Sequence, residues 1–168
     1  DLIAENLSAP RDEAALDDLL RRARKLRATQ TGAQEAAATG KDSLALNPRR
    51  GRHRRVLEND ALLLTRLSVL VTRIIGMARA IHDNYDDQLH LDPTVDDIVR
   101  ELARASHDLR LLGRDAEGTV HQNEASDAPA LTAPLSIMRP NPNHWILVGS
   151  LLEDMRRVHE EITGSEDR

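Results

Sequence analysis

The chain has no cysteine and no phenylalanine, and Trp145 and Tyr85 are the only aromatic residues among its 168. Without cysteine there are no disulfides, thiol nucleophiles or thiolate metal ligands. That composition fits a reducing cytoplasm. Without aromatics there is no stacking platform for single-stranded nucleic acid. A surplus of positive charge is missing too: the formal net charge is −5. A polyanion is therefore not the partner of the whole domain, and no nucleic acid partner is expected. No signal peptide is visible. The chain begins at Asp1 rather than Met, which suggests a piece of something longer. No HExxH, His-x3-His, Gly-rich phosphate loop, nucleophile elbow or Glu-x-x-His spacing occurs. No catalytic residue, metal or cofactor is expected, and the chain reads as no enzyme.

What is present favours helices. Hydrophobic residues make up 40% and charged residues 30%, with leucine and alanine dominating the apolar set. Both are good helix formers, and the length suits one domain with a sizeable core. The organising stretch is Val56 to Ile81. Leu63, Leu67, Leu70, Ile74, Met77 and Ile81 recur at helical spacing. Leu62, Leu64, Val71 and Ile75 widen that face, so several neighbours must contact it. Arg66, Arg73 and Arg79 lie near one side of the wheel. They interrupt the run of roughly 18 consecutive apolar residues that a bilayer span needs. This helix is expected at the centre of a soluble bundle.

Residues 1–10 show no sustained pattern, end in Pro10, and read as a linker from a preceding segment. Asp12, Glu13, Asp17 and Asp18 then suit the dipole at a helix start. A long, weakly buried first helix is expected from about Arg11 to about Leu46, with Gly32 and Gly40 as candidate breaks. Asn47-Pro48 ends it. A second helix runs from about Arg52 to about His82. Asp92 caps a third and Pro93 fits its first position; Gly113 is placed to end it, and Gly113 to Val120 reads as loop or as a short extension of this helix. Residues 114–141 are polar and proline-punctuated, an irregular connection in which Leu131, Leu135, Ile137 and Met138 still need burial. Asn141-Pro142 repeats the cap-plus-proline start of a last helix. Its apolar face carries Trp145, Val148, Leu152, Met155, His159 and Ile162. Gly164 ends it, and 165–168 is a polar tail. The expected fold is all-α: an antiparallel four-helix bundle over 11–164, with one long first helix and a long irregular connection before the last.

Four groups of residues could carry function. Arg49, Arg50, Arg52, Arg54 and Arg55 crowd one interhelical turn and are candidates for anionic-lipid contact; a solvated turn paired with helix-end carboxylates is the plainer alternative. Asp83, Asp86, Asp87, Asp92, Asp96 and Asp97 lack EF-hand spacing and its turn glycine, and read as loop solvation and capping. The seven histidines read as surface or boundary residues, with His159 in the core. Trp145, Met138 and Met155 are a candidate pocket or core group.

The segment order carries a resemblance. LDDLLRRARKLRA, a small-residue helix, LNPRRGRHRR, the central Leu/Arg helix, DPTVDDIVRELARASHDL and a last helix closing in ITG follow one another. From about Leu16 to Gly164 this resembles the cytoplasmic domain of bacterial membrane proteins of the aromatic acid exporter (fusaric acid resistance protein-like) family, in its actinobacterial form. The Asn47-Pro48 turn with its arginines and the Leu-Ala-Arg run of the third helix are the best markers. One run departs: VGSLLEDMRR stands where a Gln-Leu-Arg-Ser-like run is usual. The resemblance implies a multi-spanning inner-membrane exporter of aromatic acids or related organic anions. This segment would be its non-catalytic assembly, regulatory or gating domain on the cytoplasmic face. Its partners would be the transmembrane helices of the parent chain, the anionic inner leaflet and further copies in a homo-oligomer. The alternative is a free-standing helical-bundle adaptor or a ligand-binding regulator.

Overall fold

The computed structural model describes residues 1–45, 54–116 and 142–163, the side chains of 44, 45, 54, 55 and 112–116 apart. These residues form an all-α bundle, with no strand among them. The helices are α1 (Leu2–Leu7), α2 (Glu13–Ala45), α3 (Arg54–Asn84), α4 (Pro93–Ala116) and α5 (Trp145–Thr163). A 3-10 turn, Leu89–Leu91, precedes α4. The arginine-bearing turn, the connection after Ala116 with Met138, and the tail fall outside the described residues.

Local chemistry sets the helix starts. The Asp12 carboxylate accepts the Ala15 amide at 2.9 Å and caps α2. Asp92 does the same for the Thr94 amide at 3.0 Å, as expected from its place before Pro93. Gly32 and Gly40 do not break α2, which runs through both. At Gly40 an added Cβ would lie 3.3 Å from Leu57, so the missing side chain lets α2 and α3 approach. Gly32 faces open space. Gly32→Ala should therefore stabilise the chain by about 0.5–1 kcal/mol, through helix propensity and a less flexible unfolded state. Urea unfolding measures it; a loss of stability would mean that α2 is not helical there.

α2 and α3 form an antiparallel hairpin. Asp17 lies beside His82, Gln30 beside Ser68 and Gly40 beside Leu57, so each step forward in α2 matches a step back in α3. α3 packs on α2 and α5, α5 on α4, α4 on α1, and α1 on α2. The helices thus close a ring around one apolar interior. Leu7, Leu19, Met77, Ile81, Leu89, Ile98 and Leu151 are its most deeply buried large side chains. Each contributes about 1.5–3 kcal/mol by leaving water. Buried residues of α2 end at Ala23, and those of α3 begin at Leu70. Beyond those points the two helices run on as a hairpin with little cover.

Four findings depart from the sequence reading. Residues 2–7, read as linker, are the helix that closes the ring, with Ile3 and Leu7 in the core. α4 takes the short extension past Gly113 that the sequence leaves open, ending at Ala116. α5 begins at Trp145 rather than at Pro142, and its first amide bond runs from Val148 to the His144 carbonyl. Its buried stripe is Leu147, Val148, Leu151, Val158 and Ile162, rotated from the expected one. α4 and α5 also start side by side, because His144 contacts Asp92. Consecutive helices of an up-and-down bundle would alternate in direction.

Candidate functional site

Two ends of the molecule differ in chemistry. At one end α2 and α4 begin, α3 finishes and α5 starts. The fold gathers Asp17, Asp83, Asp86 and Asp92 there, with His82 and His144 among them. At the other end α2 stops at Ala45 and α3 starts at Arg54. The chain joining them carries Arg49, Arg50 and Arg52. These three, and the side chains of Arg54 and Arg55, lie outside the described residues. α2 is about 50 Å long at 1.5 Å per residue, which sets the separation of the two ends.

The acidic end is tightly connected. The Arg11 amide donates to the Tyr85 hydroxyl at 2.7 Å, pinning the entry of α2 to the exit of α3. The imidazole of His82 lies 2.9 Å from Asp83 Oδ1 through Nδ1 and 3.0 Å from Asp17 Oδ1 through Nε2. Hydrogen bonds to Asp83 and then to Asp17 raise its pKa above the ordinary imidazole value. His144 is only 4% exposed. Its Nδ1 is 3.2 Å from Asp92 Oδ2, while its Nε2 is buried without a hydrogen bond, 4.0 Å from Asp86 Oδ1. Burial pushes the Asp92 carboxyl up, but the Thr94 amide and the His144 ring outweigh it and hold it below its usual value.

Among the described residues no group of three or more acidic or histidine side chains is arranged to hold a metal ion. The carboxylate held lowest, at about 2, is Glu153 on the surface of α5, through hydrogen bonds from Arg156 and then Arg157. It is an exposed helix network rather than a site.

The hairpin end shows uncovered apolar surface. Leu62 is 66% exposed, and Val56 and Val69 are exposed too. Arg73 binds Asp154 of α5 at 3.3 Å. Gly76 leaves room for that carboxylate, since a Cβ there would lie 3.3 Å from Asp154 Oδ2. Leu62 and Val69 continue this side of α3 toward its start, where the cover by α5 runs out. The spacing of the arginines does not exclude α3 as a span after all. Val56–Asn84 is long and apolar enough by length and composition, and 17% of its most apolar window is buried. In this fold Arg73 is spent on α5.

Trp145 is 58% exposed at the first turn of α5, outside the ring. Met155 is half-buried against the core, and Met138 lies outside the described residues. His144, the most buried histidine among the described residues, has no sequence signal of its own. Its partners are brought to it by the fold. No family model, curated protein or solved structure matches the chain.

Proposed function

We propose that this chain is the non-catalytic cytoplasmic domain of an integral membrane exporter of aromatic acids or related organic anions. It would act in assembly, regulation or gating rather than in transport itself. The reading rests on the resemblance in segment order. The observation that carries it is the polarity of the molecule: acidic side chains gather at one end, and the arginine-bearing turn joins α2 to α3 at the other. Such a domain can point its basic end toward anionic headgroups and hold its acidic end away, each basic residue near the surface adding about 1 kcal/mol. Transmembrane helices of the parent chain and further copies of the domain are the partners this implies.

The test is fractionation of the intact gene product, tagged at its carboxyl end. It should stay in the membrane pellet through carbonate extraction. Protease should cut this domain in inverted vesicles and leave it intact in right-side-out ones. Release into the soluble fraction would overturn the proposal. A second reading, a free-standing adaptor, is favoured by the exposed apolar side of α3 at Leu62 and Val69, and that result would leave it standing.

A further inference from the structure

One histidine of the acidic end sits between two carboxylates. Both ring nitrogens of His82 sit at hydrogen-bonding distance from carboxylate oxygens, Asp83 at 2.9 Å and Asp17 at 3.0 Å. Ionised carboxylates only accept. Both contacts are therefore hydrogen bonds only when both nitrogens carry protons, that is, when the ring is an imidazolium. A neutral ring would turn one lone pair toward a carboxylate. The Asp17 contact crosses from α3 to α2, so the proton decides whether that link is attractive.

We propose that the acidic end is a proton-operated clasp. His82, as an imidazolium, bridges Asp83 and Asp17 and so ties α3 to α2. Loss of the proton loosens that tie at the place where four helix ends meet. The domain would thereby register acidification of its surroundings as tighter helix packing. This does not depend on the exporter reading.

The groups around the clasp are consistent with it. Asp17 on α2 and Asp83 on α3 face His82; Asp86 and Asp92 face His144. Tyr85 is committed to the Arg11 amide and the Ala9 carbonyl. Arg11 turns its guanidinium to the Glu5 carbonyl, away from both rings. His90, in the α3–α4 connection, has a buried Nδ1 without a partner and forms no such bridge. The pKa of His82 is raised in the fold. Its contribution is therefore complete below the ordinary value of 6.5 and is lost as pH rises through the higher folded value. Asp92 works in a separate range. Its depressed pKa gives stability above its ordinary value of 3.8 that is lost only as pH falls through the lower folded value.

The experiment is urea unfolding at about pH 6 and about pH 8, across the range where imidazoles titrate. It compares the unaltered chain with Asp17→Asn, Asp83→Asn and the double variant. Asp17 and Asp83 are both more than half exposed, so the variants keep the fold. The folding equilibrium constant of the unaltered chain should fall several-fold from the lower to the higher pH. Each single substitution should reduce that fall, and the double variant should lose most of it. A structural role alone would shift stability equally at both pH values. A fall unchanged in the double variant, or absent from the unaltered chain, would overturn the clasp.

Discussion

Replacing Ile81 with alanine should lower the unfolding free energy by about 2–5 kcal/mol. Ile81 is fully buried, near the end of α3, where Met77 and Ala78 beside it are also enclosed. Shortening it removes three methyl or methylene groups from a ring interior closed by helices on every side. The surrounding residues can collapse only partly, so a cavity term adds to the lost transfer energy. Urea unfolding followed by circular dichroism is the right measurement. Trp145 fluorescence would be a poor reporter, because that side chain is already largely in water. Leu62→Ala is the control: it removes a similar volume from an exposed site and should change stability by less than about 0.5 kcal/mol. Similar losses for the two would mean that the core is not where the ring places it.

The second large effect is expected at Asp92. Its carboxylate serves two elements at once. One oxygen caps α4 through the Thr94 amide, and the other holds the buried ring of His144 at the start of α5. Asp92→Ala removes a cap, which costs about 0.5–2 kcal/mol. It also strands a buried imidazole nitrogen, which costs about 1–3 kcal/mol. A total near 2–4 kcal/mol at neutral pH follows. Asp92→Asn keeps a capping oxygen and should lose less than half as much. The variants should also differ in acid. The unaltered chain loses the Asp92 contribution as pH falls through its depressed folded value, whereas Asp92→Asn has nothing to titrate there. Equal loss in the alanine and asparagine variants would show that the carboxylate does not hold both helices.

Much of this fold could be read from the chain. The Asp92-Pro93 start, the long α2 and the apolar period of α3 all lie where their residues put them. Each is a local signal: a cap, a propensity, a repeat. The misses share a different cause. α1 is a single turn and a half, too short for a period to show, and its Ile3 and Leu7 become meaningful only once α4 and α2 are there to cover them. Trp145 shares a wheel face with Val148, but the buried face of α5 centres on Leu147, Val148 and Leu151, which turns Trp145 outward. His144 reads as a surface or boundary residue. Its burial depends on Asp92, which is distant in sequence and reached through a connection whose path the sequence does not fix. The polarity of the molecule was half legible: both charge clusters are plain in the sequence, and only the pairing of α2 with α3 sets them at opposite ends.

The hairpin has a mechanical consequence. α3 is one uninterrupted helix from the acidic end to Arg54, and α2 braces it along that course. Past the last turn of α5, some ten residues of each helix, about 15 Å, extend with no third helix beside them among the described residues. A pair of parallel rods joined along their length resists bending far better than either rod alone. Displacement at the clasped end would thus be carried as a tilt rather than absorbed as a bend. Over the roughly 45 Å of α3, a tilt of about 10° would sweep Arg54 through about 8 Å. Movements too small to separate helices at one end would become displacements of more than a helix radius at the other. The α2–α3 pair is thus the stiff element that joins the acidic end to Arg54.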